Sequence, residues 1–186
     1  MSASTSGRVV HRLTELGQTV ACAESLTAGL VAATIADTPG ASLVLLGGVV
    51  AYAPELKVDL LGVPERLIAE AGTVDPRVAV AMAEGARSRL GATWGVATTG
   101  VAGPGPAEGK PAGTVHIAVA GPGGTDTRAL RLKGDRGQIR AATVDHVLEM
   151  LTERLDAPVE TSDGGAERRG TVGETAGPAT ARRRTT

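Results

Sequence analysis

The chain has 186 residues, 42% apolar and only 1% aromatic, with a formal net charge of −1; this length fits one ordinary domain with a modest extension. One Trp, one Tyr and no Phe leave a core of Ala, Val, Leu and Ile, offer little for stacking exposed bases, and the balanced charge argues against a general nucleic-acid binder. The lone Cys22 excludes an internal disulfide framework and a CxxC pair, and no stretch approaches the roughly 20 apolar residues of a membrane helix.

The first residues, rich in Ser and Thr, lack the apolar core of a secretory signal, so a cytoplasmic location is expected. Val9, Val10, Leu13 and Leu16 then predict a helix over Gly7 to Leu16. Thr19 to Ala23 reads as a short buried strand, with Cys22 a small hydrophobe inside it. Leu30, Val31, Thr34 and Ile35 recur at helical spacing up to Pro39. Ser42 to Tyr52 reads as a second strand, and Pro54 opens a short helix through Leu61. Another short turn follows Pro64, with Leu67 and Ile68. Asp75-Pro76 is a helix start, an N-cap followed by proline, with Ala79, Met82, Ala83, Ala86 and Leu90 as its apolar stripe. Trp94 to Thr98 predicts a strand feeding a glycine-rich loop from Gly100 to Gly113. Thr114 to Ala120 and Thr127 to Leu132 form a hairpin turned at Gly121 to Gly124. A last helix starts near Asp135, with Gln138 completing a capping box and Ile139, Thr143, Val147, Leu151 and Leu155 on one face.

Alternating helices and strands predict an α/β fold, a three-layer α/β/α sandwich around a mixed central sheet. Residues 1–6 are expected to be flexible, 7–156 to form the domain, and 157–186, with almost nothing to bury, to be a disordered tail. Low aromatic content in so small a domain also leads us to expect a homo-oligomer.

Ser25 and Thr27 sit where the first strand becomes a helix, an end whose free N–H groups and positive dipole suit an anion or a developing oxyanion. Each is either a simple N-cap or part of a site. Tyr52 ends the second strand. Lys57 follows Pro54 in the early part of a short helix, where the dipole disfavours a cation and lowers its pKa toward that of a working base; the bland alternative is a solvated surface charge. Thr99-Gly100-Val101-Ala102-Gly103-Pro104-Gly105 is either a phosphate-cradling nest or a flexible turn. A Walker A reading fails, because Pro104 stands where the first glycine is needed and Pro111 where Ser or Thr would bind magnesium. In open α/β sheets ligands bind beyond the carboxyl ends of strands, where all three segments fall. His11, His116 and His146 show no ligand spacing, so no metal or cofactor is expected, and lysine is a better base for Ser25 than histidine.

Glu24-Ser25-Leu26-Thr27-Ala28-Gly29, Val50-Ala51-Tyr52 with Lys57, the Thr99 to Gly105 segment, Lys110-Pro111-Ala112-Gly113-Thr114-Val115 and Gly134-Asp135-Arg136 occur in the order found in one family. The chain resembles the CinA C-terminal domain, also called nicotinamide-nucleotide amidohydrolase, over roughly Arg8 to Leu155. The resemblance implies hydrolytic deamidation of nicotinamide mononucleotide to nicotinate mononucleotide and ammonia, in pyridine-nucleotide recycling. It implies Ser25 as nucleophile, with Lys57 and Tyr52 assisting proton transfer. Some relatives carry a further N-terminal domain, so a stand-alone form is expected. Two departures stand out. Ala28 replaces a glycine, which matters if that position needs positive φ. Ala51-Tyr52-Ala53-Pro54 replaces a more polar segment, which bears on substrate range.

On this reading Thr27, Gly29, Thr99, Gly100, Gly103, Gly105, Arg136 and Arg140 bind the substrate. Backbone N–H groups near Thr27 to Gly29, or in the loop after Thr99, hold the oxyanion, and Arg136 or Arg140 joins the glycine loop around the phosphate. The expected partner is a small nucleotide, with no nucleic acid and no membrane. The alternatives are a non-catalytic nucleotide-binding module and an amidohydrolase of another small amide.

Overall fold

The computed structural model describes residues 4–157; the expected tail lies outside the described residues apart from Ala157, as do residues 1–3. In chain order the elements are α1 (Thr5–Leu16), β1 (Val20–Glu24), α2 (Leu30–Ala36), a 3-10 turn (Ala41–Leu43), β2 (Leu45–Val50), α3 (Pro54–Leu61), α4 (Glu65–Ala71), α5 (Pro76–Arg89), β3 (Trp94–Gly100), β4 (Thr114–Gly121), β5 (Gly124–Arg131) and α6 (Arg136–Asp156). Helix α1 starts earlier than expected because Ser4 Oγ accepts from the Gly7 N–H at 3.1 Å, so Thr5 and Ser6 are helical rather than flexible.

The sheet order is β2-β1-β3-β4-β5. Strand β1 runs parallel to both β2 and β3, whereas β4 is antiparallel to β3 and β5 antiparallel to β4. This is the expected α/β architecture with a mixed sheet. On one face Val9 and Leu13 of α1, Val31 and Ile35 of α2, and Ile139, Val147 and Leu151 of α6 pack on Cys22, Val96, Ile117 and Val119. Leu16, expected on the buried face of α1, is instead 41% exposed at the helix end. On the other face α3 and α5 bring Leu61, Met82, Ala83 and Ala86 against Ala21, Ala23, Ala97 and Ala118. Burying each larger side chain contributes about 1.5–3 kcal/mol.

Alanines on that second face let α5 lie close to the sheet. Helix α3 in turn crosses α5 at Gly85, where an added Cβ would stand 2.0 Å from the Leu61 carbonyl oxygen. The helix that carries Lys57 is thus seated backbone against backbone. Among the described residues no helix is long and apolar enough to cross a membrane.

Candidate active site

Ser25 follows β1 directly, and its N–H donates to Thr98 O at 3.0 Å, continuing the pairing of β1 with β3 past the strand end. Two turns then overlap: Ala28 N–H donates to Ser25 O, and Leu30 N–H to Thr27 O, both at 3.2 Å. The second turn needs positive φ at Ala28 (52°) and Gly29 (95°). Position 28 is therefore one where glycine would be unstrained and alanine is not.

Helix α2 begins at Leu30 with Gly29 as N-cap, so neither Ser25 nor Thr27 caps it. Glu24 supplies that function. Its buried carboxylate accepts from Gly29 N–H (2.9 Å) and Val31 N–H (3.0 Å) through Oε2, and from Ala32 N–H (2.9 Å) through Oε1. A negative charge at a helix N-terminus is favoured by dipole and orphan donors together. The Gly29 N–H expected to serve the substrate is consequently engaged. Thr27 is fully buried, its hydroxyl 2.7 Å from that of Thr98.

Pro54 opens α3 and places Lys57 facing inward, where its side chain is fully buried. Nζ lies 3.2 Å from Ser25 Oγ, 2.7 Å from Ala51 O and 3.1 Å from Tyr52 O. Burial pushes its pKa down to about 8, against the smaller opposing pull of Glu108 and Glu55. The solvated-charge reading is overturned, and desolvation rather than the helix dipole is the leading cause. A neutral amine has two N–H donors and one lone pair. As an ammonium Nζ donates to all three oxygens; once neutral, it keeps the two carbonyls for its donors and leaves the lone pair to the Ser25 hydroxyl.

Tyr52 is 54% exposed, and its phenol lies 2.9 Å from Arg136 Nη2 rather than beside Ser25 or Lys57. Its carbonyl, not its hydroxyl, meets Lys57. The expected place of the phenol between Lys57 and Ser25 is not found, since those two side chains touch directly. Arg136 also donates to Gly103 O at 2.9 Å, tying the start of α6 to the glycine loop and the β2–α3 connection. Arg140, one turn along α6, donates from Nε to Leu26 O (3.0 Å) and from Nη2 to Thr27 O (2.8 Å).

The Thr99 hydroxyl, expected at the substrate, donates to Thr73 O at 2.7 Å from a fully buried position. Gly100 ends β3 and Gly105 lies at the exposed tip of the loop. Glu108 anchors that loop, accepting from Thr73 N–H (3.0 Å), Thr73 Oγ1 (2.6 Å) and Val74 N–H (3.2 Å). Burial opposes ionisation of Glu108, but these donors outweigh it and hold the carboxyl below its ordinary pKa.

The structure thus joins Ser25 and Lys57 directly, and gathers Tyr52, Gly103 and Arg136 at one rim. Thr27, Gly29 and Arg140 belong to the serine loop's own support. Glu24 and the Ala51 carbonyl were missed by sequence reasoning. A carboxylate ending an otherwise apolar strand was the available signal for Glu24; nothing local marked Ala51. Among the described residues no group of three or more His, Cys, Asp or Glu side chains could hold a metal ion. A concavity of about 850 Å³ lined by Leu61, Gly62, Gly85, Arg87, Arg89 and Ala92 lies by the start of β3, at the opposite end of the sheet. Its one hydroxyl, Ser88 Oγ, donates to the Gly85 carbonyl of its own helix rather than to a base, whereas Ser25 Oγ lies against the Lys57 amine.

The family model described as the CinA C-terminal domain matches residues 2–155. A CinA-like protein of Frankia casuarinae is 53% identical over 152 residues, covering 82% of this chain and 35% of that protein. A CinA-like protein of Anaeromyxobacter dehalogenans is 51% identical over 144 residues, covering 77% and 35%. The chain thus spans about a third of the length of these relatives. Among solved structures, the competence/damage inducible protein CihA of Agrobacterium tumefaciens superposes with a TM-score of 0.79 at 37% identity, covering 84% of this chain and 100% of that one. A CinA superfamily protein of Klebsiella pneumoniae gives a TM-score of 0.79 at 31% identity, covering 81% and 95%.

Proposed function

Because the chain belongs to the CinA C-terminal domain family, we propose that it deamidates nicotinamide mononucleotide to nicotinate mononucleotide and ammonia through Ser25. The observation that carries the chemistry is the fully buried Lys57 Nζ at 3.2 Å from Ser25 Oγ, with a pKa brought down to about 8. The choice of substrate rests on the ordered motifs shared with nicotinamide-nucleotide amidohydrolases. Arg136 and the exposed Tyr52 ring at the rim support it, offering a guanidinium for phosphate and an aromatic face for a cationic pyridinium.

Neutral Lys57 takes the Ser25 proton as Oγ attacks the carboxamide carbon, giving a tetrahedral oxyanion. The C–N bond then breaks, and the Lys57 ammonium returns its proton to the departing nitrogen, which leaves as ammonia. Water attacks the resulting acyl-serine ester with Lys57 again as base. Loss of Ser25 Oγ releases the carboxylate product and restores the serine. The net change is amide plus water to acid plus ammonia. The two carbonyls keep Lys57 Nζ aimed at the serine, its lone pair facing Oγ before proton transfer and the new N–H after it, so little orientation is left to organise at the moment of reaction.

The test is release of ammonia and nicotinate mononucleotide from nicotinamide mononucleotide by the purified protein beside Ser25→Ala. Turnover in the parent and none in the folded variant supports the reading. A parent that binds the nucleotide without releasing ammonia contradicts it, and nicotinamide consumed as readily as its nucleotide contradicts the substrate.

A further inference from the structure

Among the described residues, every backbone N–H from Ser25 to Ala32 except those of Leu26 and Thr27 has an acceptor within the protein. Ser25 donates to Thr98 O, Ala28 to Ser25 O and Leu30 to Thr27 O. Gly29, Val31 and Ala32 donate to Glu24. Leu26 is 3% exposed and Thr27 fully buried. Buried N–H groups are nearly always paired, so two adjacent unpaired ones beside a nucleophile call for an acceptor.

Peptide geometry says where they point. In a planar trans peptide the N–H is antiparallel to the preceding C=O. Leu26 O is directed at Arg140 on α6, so the Thr27 N–H is turned away from the α6 layer. It therefore leans toward the layer of α3, from which Lys57 reaches Ser25. Ser25 O faces inward on the Ala28 N–H, so the Leu26 N–H is turned out of the same turn. An N–H of the residue after the nucleophile is a natural oxyanion donor.

We propose that the Leu26 and Thr27 amides form the oxyanion hole, and that Glu24 and Arg140 are positioning residues that hold it in shape. Glu24 fixes the loop from the α2 side by taking the helix-end donors. Arg140 fixes it from the α6 side by binding both carbonyls, which removes it from the substrate's phosphate. The inference rests on acylation of Ser25 but not on which amide is the natural substrate.

The experiment uses p-nitrophenyl acetate, an activated ester with neither nucleotide nor phosphate, and follows Ser25 acylation by the nitrophenolate burst. A backbone ester replacing the amide at Leu26 or at Thr27 deletes one N–H while leaving every side chain. Each is expected to slow acylation about 100- to 1,000-fold, while a control ester at Asp37, whose N–H serves only the end of α2, is not. Affinity for nicotinate mononucleotide stays within about threefold throughout. Arg140→Met is expected to slow acylation at least tenfold, on the order of a partly displaced donor, with nucleotide affinity again unchanged. Esters at 26 and 27 that acylate at the parent rate overturn the proposal. So does an Arg140→Met protein that loses nucleotide affinity but keeps its acylation rate, since Arg140 would then be a phosphate ligand. Normal acylation without deamidation of the nucleotide would sink the proposed substrate and leave the oxyanion hole standing; a parent inert toward both sinks both.

Discussion

Lys57 can act as a base near neutral pH because desolvation, more than any neighbouring charge, sets its proton affinity. For deamidation, kcat/KM is expected to rise with pH through an inflection near the lysine's pKa of about 8. Glu55→Gln removes a carboxylate that raises that pKa, so the inflection should move to lower pH; a profile flat across it contradicts the assignment. The same group links stability to pH. Between about 8 and the unperturbed 10.5, the unfolded chain holds a proton that the folded chain has released, so stability rises with pH across that window. Below it, the full cost of the buried ammonium is present. The melting temperature of the parent should therefore gain on that of Lys57→Met as pH rises through the window. At Ala28 the φ of 52° carries left-handed strain of about 1–2 kcal/mol, partly offset by the greater freedom glycine has when unfolded. Ala28→Gly should stabilise by about 0.5–1 kcal/mol, read as a higher urea midpoint with unchanged slope. Ser25 and Lys57 were legible as candidates from the chain alone. The burial of Lys57 was not, because a lysine in a short helix looks solvated until Ala51, Tyr52 and Ser25 close around it.

At the scale of elements, the site depends on how α3 sits on α5. Gly85→Ala would set a Cβ against the Leu61 carbonyl, and since both partners are backbone, the helix must move. We expect a loss of about 1–3 kcal/mol in denaturant unfolding. Turnover should fall more than nucleotide affinity, because Lys57 lies one turn before Leu61 on the displaced helix. Equal losses in turnover and affinity would instead indicate general loosening. Elements set by local chemistry were readable: Pro54 opening α3, Asp75-Pro76 opening α5, and the Asp135–Gln138 capping box of α6. Helix α2 begins at Leu30, where its helical spacing begins, but its cap was not legible at Ser25 or Thr27, because the capping group, Glu24, comes from the preceding strand rather than from the usual cap position. Ser42 and Leu43 of the 3-10 turn at Ala41–Leu43, read as the beginning of β2, have no periodicity to distinguish them.

Among the described residues, the exposed large apolar side chains other than Leu16 are concentrated rather than scattered. Leu43, Leu46, Val50, Tyr52, Leu56 and Leu60 all lie on the 3-10 turn, edge strand β2, its exit loop and α3. No charge interrupts residues 38–54. A neutral edge of this kind invites strand pairing, and we propose a second copy as its occupant, since an antiparallel β2 pair centred on Gly47 and Gly48 would match apolar ends. Sedimentation velocity should give a dimer that Leu46→Lys reduces to monomer; a monomeric parent at micromolar concentration contradicts it. Strand β3 is the seam of the sheet, parallel to its neighbour on one side and antiparallel on the other. Ser25 and Lys57 both arise on the parallel side, from one continuous stretch between Val20 and Leu61. The glycine loop hangs from the antiparallel hairpin, and Arg136 follows it. Descendants of such a chain that keep Glu108, whose charge reaches Lys57, can lengthen, shorten or recompose the exposed tip around Gly105 without disturbing the serine–lysine pair. Reaction type and substrate choice are thereby free to diverge at different rates.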